Sequence, residues 1–408
     1  MAKAIRMAVA GLAGCLALSA LAESPTVSDV VVRQRWPWSR LVDISYVLDC
    51  EDTQKVDVAV AGYSGTTPVD LPLKSLSGEL YGVSRGEHRV VWDPLKTAYT
   101  NEPLTRFNVT ITPTPVPLYM IVDLTNAAGT SAQVEYIYPG DPRLETYGRW
   151  TNVWFGVTNS AAYKTDKLVL RRVPAGAFTM GEEDKPTLTK AVTLTRACYA
   201  GVFELTEVQW HRIMGTDPSA LVVPKVSVSY DRIRGAMGTV PPVNWFTTGT
   251  YASPTSFVGL LRAKTGIGDF DLPTEAQWQY LCRAGTTSYY SDGVSVSAAE
   301  TNILNELGWW SGNNGGNARH PVGERAPNAW GLFDTHGNVW EFCLDWYASS
   351  LGTLPATDPA GPASGAARVA CGGSGGLAAS ACRSACRGSC APSSADTAIG
   401  FRVVRSLQ

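Results

Sequence analysis

Hydrophobic and polar positions fall into two regimes along the chain. From Ser28 to Ile111, short β-branched apolar segments (30–32, 41–46, 56–60, 88–92 and 107–111) are separated by Gly, Pro, Ser and Asp. Runs of that length with that punctuation predict a small antiparallel β-sandwich. Thr112-Pro113-Thr114-Pro115-Val116-Pro117 predicts a stiff linker. Residues 119–124 and 133–138 read as lead-in strands docked on the next domain, with Pro139-Gly140-Asp141-Pro142 as a turn. Beyond Leu168 the periodicity breaks into short pieces rich in Trp, Gly and Asn. Thr274, with Gln277 three positions on, predicts a capping box that opens a helix. Trp278, Leu281 and Cys282 would then share its buried face. Thr206-Glu207-Val208-Gln209-Trp210 predicts a second short helix. The fold class expected is α+β: an irregular C-terminal domain (168–408) preceded by an all-β module (23–115) and lead-in strands (116–167).

Composition narrows the function. Across 408 residues, 34 Lys and Arg balance 36 Asp and Glu, for a net charge of −2. That balance excludes a polybasic nucleic-acid binder. Thirteen Trp, 39 Gly and 25 Pro agree with a turn-rich fold carrying aromatic anchors. Only the N-terminus is apolar enough to engage a membrane. Lys3 and Arg6, the apolar residues 7–21 and the small residues Ala20 and Ala22 make a secretory signal peptide, with cleavage expected after Ala22. Leu12-Ala13-Gly14-Cys15 is a rival lipobox that would leave a lipid anchor at Cys15. Either route takes the protein out of the cytoplasm, to a secreted, periplasmic or cell-surface place, with no transmembrane span in the mature chain. Eight cysteines remain after Ala22, and an oxidising compartment would let some of them pair. No C-x₂-C arrangement suggests structural zinc.

The C-terminal half carries an ordered series of motifs. Val173-Pro174-Ala175-Gly176 through Met180-Gly181 is followed by Phe203-Glu204-Leu205-Thr206-Glu207, Pro242-Val243-Asn244-Trp245 and Leu272-Pro273-Thr274-Glu275. Then come Gly331-Leu332-Phe333-Asp334, Gly337-Asn338-Val339-Trp340-Glu341, Gly372-Gly373-Ser374, Cys382-Arg383-Ser384-Ala385 and Ile399-Gly400-Phe401-Arg402. In this order they resemble the formylglycine-generating enzyme (sulfatase-modifying factor) family, whose fold is related to C-type lectins. The N-terminal module is similar to the immunoglobulin or fibronectin type III modules of secreted bacterial proteins.

The resemblance implies two metal sites. Asp334 and Glu341 flank a glycine turn, and hard oxygen donors at such spacing suit Ca²⁺. The family pattern makes their side chains, with the carbonyls of Gly337 and Val339, the calcium ligands. His336, between them, is expected at the surface. A formylglycine-generating enzyme also oxidises a substrate cysteine with O₂ and a Cu(I) ion held by two thiolates. The pattern puts Ser374 at the family's active-site serine and Cys382 at the second copper cysteine. The first copper position falls on Leu377, which cannot ligate a metal. Residues 375–398 are almost all small, although the fixed positions around them survive. One reading of that stretch is a ligand-binding face randomised at asparagine codons by a diversity-generating retroelement.

These features predict an exported, non-catalytic protein that binds a protein or peptide ligand. The alternatives are a copper-dependent formylglycine-generating oxidase acting on sulfatase cysteines, with Cys382 and Ser374 as catalytic residues, and a structural or adhesion surface protein.

Overall fold

The computed structural model describes residues 25–407 apart from 36–37, 51–54, 70, 72–74, 98–105, 128–129, 131–132, 148–149, 183–188, 217–220, 236–251, 298, 300 and 317–318. The signal segment, Cys15 and the Pro242-to-Trp245 motif lie outside the described residues.

Alternation builds the N-terminal module. In the strand Val42–Asp49, Val42, Ile44, Tyr46 and Leu48 are buried while the residues between them face outward. That period of two places one face on a core. The strand lies in a four-stranded sheet ordered Thr26–Gln34, Val42–Asp49, Gly86–Trp92, Leu76–Gly78. A three-stranded sheet, Thr67–Val69, Val56–Ser64, Phe107–Pro115, adds Val56, Val58 and Ile111 to the same core as Trp92. The expected sandwich is therefore present. The expected linker is shorter than the sequence suggests, because the last strand runs on through Pro113 to Pro115. Proline lacks an amide donor and is tolerated there because this strand is at the edge of its sheet.

The lead-in segments become part of the second domain. Tyr119–Asp123 and Val134–Ile137 pair with each other. The first of them pairs with Lys167–Val173, extending a six-stranded sheet that also holds Cys198–Gly201, Val404–Ser406 and Phe270–Asp271. A second sheet carries Arg387–Cys390, Arg368–Cys371, Trp340–Trp346 and Ile399–Gly400. Six short helices fill the spaces among the described residues. Two of them are the helices the sequence predicts, and both open on capping boxes, of which it predicts only that at Thr274. Thr206 and Gln209 close the box of Glu207–Met214, and Thr274 and Gln277 that of Glu275–Arg283. Trp278, Leu281 and Cys282 are all buried, as the shared face requires. Asp57 of the sandwich and Arg172 of the second domain form an ion pair at 2.9 Å that joins the two modules.

Candidate functional site

Arg402 organises the middle of the second domain. It is fully buried. Its Nη1 donates to the carbonyls of Gly201 and Val202 at 2.7 and 3.1 Å, and its Nη2 donates to that of Phe333 at 2.8 Å. Nε and Nη2 also grip both oxygens of Glu341, at 2.7 to 3.2 Å. The indole Nε1 of Trp278 donates to Glu341 Oε2 at 2.7 Å. Glu341 thus accepts four hydrogen bonds, about what a carboxylate's lone pairs can take. A buried charge is tolerable only when paired and hydrogen-bonded in this way.

Two more carboxylates sit in the same interior. Glu204 accepts from the Asn338 side chain at 2.7 Å and the Val339 amide at 3.1 Å. Burial, with Asp334 and Glu341 nearby, raises its pKa well above the usual carboxylate range. Asp334 Oδ2 accepts from the Gly323 amide at 2.7 Å, but its buried Oδ1 has no partner. Burial lifts its pKa to about 6, against the pull of the Gly323 amide and Arg402. The cluster therefore holds three carboxylates against Arg402, with Lys164 acting on Asp334 from a distance.

This arrangement tests the two expected calcium carboxylates. Asp334 fits, since it offers an unpartnered buried oxygen. Glu341 does not, because its oxygens are taken by Arg402 and Trp278. Among the described residues no group of three or more His, Cys, Asp or Glu is arranged to hold a metal ion. Glu204 belongs to a sequence motif without standing out there as a site residue. Its one signal is a carboxylate in an otherwise apolar run, Val202-Phe203-Glu204-Leu205.

The second centre lies where the Arg368–Cys371 strand leads into the glycine turn, beside the start of its antiparallel neighbour Trp340–Trp346. Gly372 and Gly373 have φ of +98° and +76°, and a Cβ at Gly373 would come 2.5 Å from the Ala381 carbonyl and 2.8 Å from Cys382 Sγ. Glycine is thus required for the turn to approach Cys382. The turn brings the two predicted catalytic residues together: Cys382 Sγ lies 3.8 Å from the Ser374 carbonyl, and both residues are buried. Leu377 comes next with its side chain partly exposed, its amide on the Ser374 carbonyl and its own carbonyl on the Ser311 amide. Burial pushes the Cys382 thiol up to about 12, so it is protonated at neutral pH and a poor nucleophile. Copper does not fit the family's pair of positions, because Leu377 offers no donor beside Cys382 in the motif. Cys198, Cys282, Cys343, Cys371, Cys382, Cys386 and Cys390 are free thiols, and Cys343 and Cys371 approach each other at 3.9 Å.

His336 corrects the expectation of a surface side chain. It is fully buried. Its Nδ1 lies 2.8 Å from the Cys382 carbonyl, and its Nε2 lies 3.0 Å from both the Ser291 amide and hydroxyl. The Ser291 amide must donate, so Nε2 accepts and Nδ1 carries the proton. Burial lowers the His336 pKa to about 4. Cys282 Sγ lies 3.8 Å from His336 Nε2, but burial pushes that thiol up to about 12. Both groups are therefore neutral at neutral pH, and His336 acts as a brace under Cys382.

The irregular second domain, with its glycine turn, buried Glu–Arg hub and buried Cys382 thiol, can be set beside known proteins. The profile described as "Sulfatase-modifying factor enzyme 1-like domain" matches residues 155–407. The chain belongs to that family. It is 38% identical over 113 residues to the formylglycine-generating enzyme of Streptomyces coelicolor, covering 25% of this chain and 35% of that one. To the formylglycine-generating enzyme of Thermomonospora curvata it is 37% identical over 115 residues, covering 25% and 37%. The chain thus spans about a third of the length of these relatives. The chaperone protein LppX of Paenibacillus barcinonensis is 27% identical over 221 residues, covering 45% of this chain and 73% of that one. Among solved structures, Treponema denticola variable protein 1 aligns with a TM-score of 0.46 at 24% identity, covering 59% of this chain and 95% of that one.

Proposed function

We propose that this chain is an exported, non-catalytic member of its family that binds a protein or peptide ligand through the small-residue face of its C-terminal domain. Leu377 carries the reading: it supplies a branched aliphatic side chain where the family's first copper thiolate belongs. A Cu(I) ion is soft and takes thiolates, and of the family's two copper positions this chain keeps a cysteine at Cys382 alone. The face itself is exposed at Gly376, Leu377, Ala378, Ser380 and residues 393–397. Export rests on the basic start, the apolar stretch and the small residues before Glu23. No helix among the described residues is long and apolar enough to cross a membrane.

A Cu(I) titration combined with turnover of a Cys-x-Pro-x-Arg peptide tests this reading. The expected result is neither stoichiometric copper binding nor conversion of thiol to aldehyde by the wild-type chain. Aldehyde formation that disappears in Cys382→Ser would overturn it in favour of the oxidase reading. The names of the formylglycine-generating relatives and the approach of Ser374 to Cys382 favour that second reading.

The carboxylate cluster belongs to the same proposal. We assign calcium to Asp334 and Glu204, with the carbonyls of Gly337 and Val339, and leave Glu341 to Arg402. The ion would balance a surplus of buried negative charge and brace loops, with no part in chemistry. EGTA is expected to lower the melting temperature of the wild type and leave that of Asp334→Ala unchanged. Equal melting of the wild type with and without chelator would remove calcium from the account.

A further inference from the structure

The junction between the sandwich and the second domain encloses a cleft of about 330 Å³. That is near the lower end of small-molecule sites, which favour domain boundaries. Its walls come from both modules. Tyr81 and the strand Val56–Ser64 stand on one side, and Tyr136, Tyr138, Tyr199, Arg405 and Leu407 on the other. It lies outside the carboxylate hub and the Cys382 turn, none of whose residues line it.

Arg405 is the unusual group in this wall. Its Nη1 makes two long contacts, to Met120 Sδ at 3.4 Å and to the Tyr136 hydroxyl at 3.5 Å. Its Nε is buried without any partner. Asp57 also lines the cleft, but both of its oxygens are held by Arg172, at 2.9 and 3.0 Å. Asp269 acts on Arg405 from a distance. Among the described residues no carboxylate reaches Arg405 at ion-pair distance. A guanidinium that no carboxylate holds keeps its charge for an acid in the cleft. The tyrosine rings around it supply flat apolar surface for the body of a ligand.

We propose that this cleft binds a small organic carboxylate with an aromatic body, its carboxylate on Arg405 and its ring among Tyr81, Tyr136 and Tyr199. The charge of Arg405, left over once Asp57 is paired with Arg172, selects an acid over its neutral amide. The cleft volume limits the ligand to one or two rings. Such a ligand would touch both modules at once and so fix their relative placement.

Fluorine NMR on the full chain tests this with para-fluorophenylacetate and its amide, para-fluorophenylacetamide. The acid is expected to bind saturably, and the amide at least about tenfold more weakly, since it forfeits a charge-assisted pair. Arg405→Gln, checked for an unchanged near-ultraviolet circular dichroism spectrum, is expected to bring the acid down to the level of the amide. Equal binding of acid and amide by the wild type would overturn the proposal, as would the absence of any saturable signal from the acid. Full acid binding by a folded Arg405→Gln would do the same. The comparison of acid with amide needs only the wild-type chain, so it decides even if the variant does not fold.

Discussion

Two centres of the second domain lie beside each other and have different requirements. The Glu341–Arg402 hub retains every group its geometry needs: two charged partners, an indole donor and three backbone carbonyls. The Cys382 centre retains its turn glycines, its serine, its thiol and the histidine beneath it, yet carries Leu377 at the position that would complete a copper pair. The difference separates two kinds of constraint. Residues of the hub are held by packing and by the cost of an unpaired buried charge, whatever the protein does. Leu377 is partly exposed and fills no structural role that only cysteine could fill, so chemistry alone would hold a thiol there.

Breaking the hub should produce the largest effect. Arg402→Met removes the cation and leaves Glu341 buried, which is expected to cost about 3–5 kcal/mol of unfolding free energy. Urea denaturation measures it. A loss below about 1 kcal/mol, the level of an exposed pair, would mean that the hub is solvated and the contrast with the thiol centre false. At the second centre, Gly373→Ala forces a side chain into positive φ and against the Ala381 carbonyl. The expected cost is about 2–3 kcal/mol, the range of backbone strain at such positions.

Much of this is legible in the sequence, for reasons that differ by region. Alternation in Val42–Asp49 and the capping box at Thr274 are local signals, and local signals survive into the fold. The strands Thr67–Val69 and Leu76–Gly78 leave no such mark, because three residues are too few to show a period. Pro113 and Pro115 read as linker because sequence does not show that their strand is an edge. The site is harder. Gly372, Gly373, Ser374 and Cys382 are close along the chain, so their convergence can be read from the motif. Glu204 joins Asp334 and Glu341 across 130 residues or more, and Arg402 reaches back to Gly201, so neither partnership leaves a local trace. His336 reads as a surface residue because a polar side chain in a turn usually is one, whereas here the carbonyl of Cys382 and the amide of Ser291 satisfy it inside.

The strand that carries Glu341 offers an internal control four residues on. Asp345 is buried and accepts from the Glu275 amide at 2.8 Å, at the start of a helix. Burial, reinforced by the Glu275 charge, raises its pKa to about 7. The folded state therefore holds a proton that the unfolded chain releases near pH 4. Stability from this group is fully present below pH 4, falls as pH rises through 7 and then levels off. Asp345→Asn should flatten the unfolding free energy between pH 5 and 7.5, a window in which the wild type is expected to lose on the order of 2–3 kcal/mol, about two pKa units' worth. An unchanged pH profile would show that Asp345 finds a cation as Glu341 does, and the hub would lose its distinction.

The smallest effect bears on how the hub is assembled. Trp278 reaches Glu341 because the helix Glu275–Arg283 starts at a fixed residue, and Thr274 sets that start by accepting from the Gln277 amide at 3.1 Å. Gln277 returns the bond, its side-chain oxygen taking the Thr274 amide at 2.9 Å. Thr274→Ala loses half of this exchange, and caps of this kind contribute about 1 kcal/mol. Ser380→Ala on the exposed small-residue face is the matching control, expected within about 0.5 kcal/mol of wild type. Measured by urea denaturation side by side, the two should differ, because one threonine positions a donor to a buried charge and one serine faces solvent. Equal losses would mean that the small-residue face is packed as tightly as the hub, and the freedom assigned to it, on which its use as a binding surface rests, would be gone.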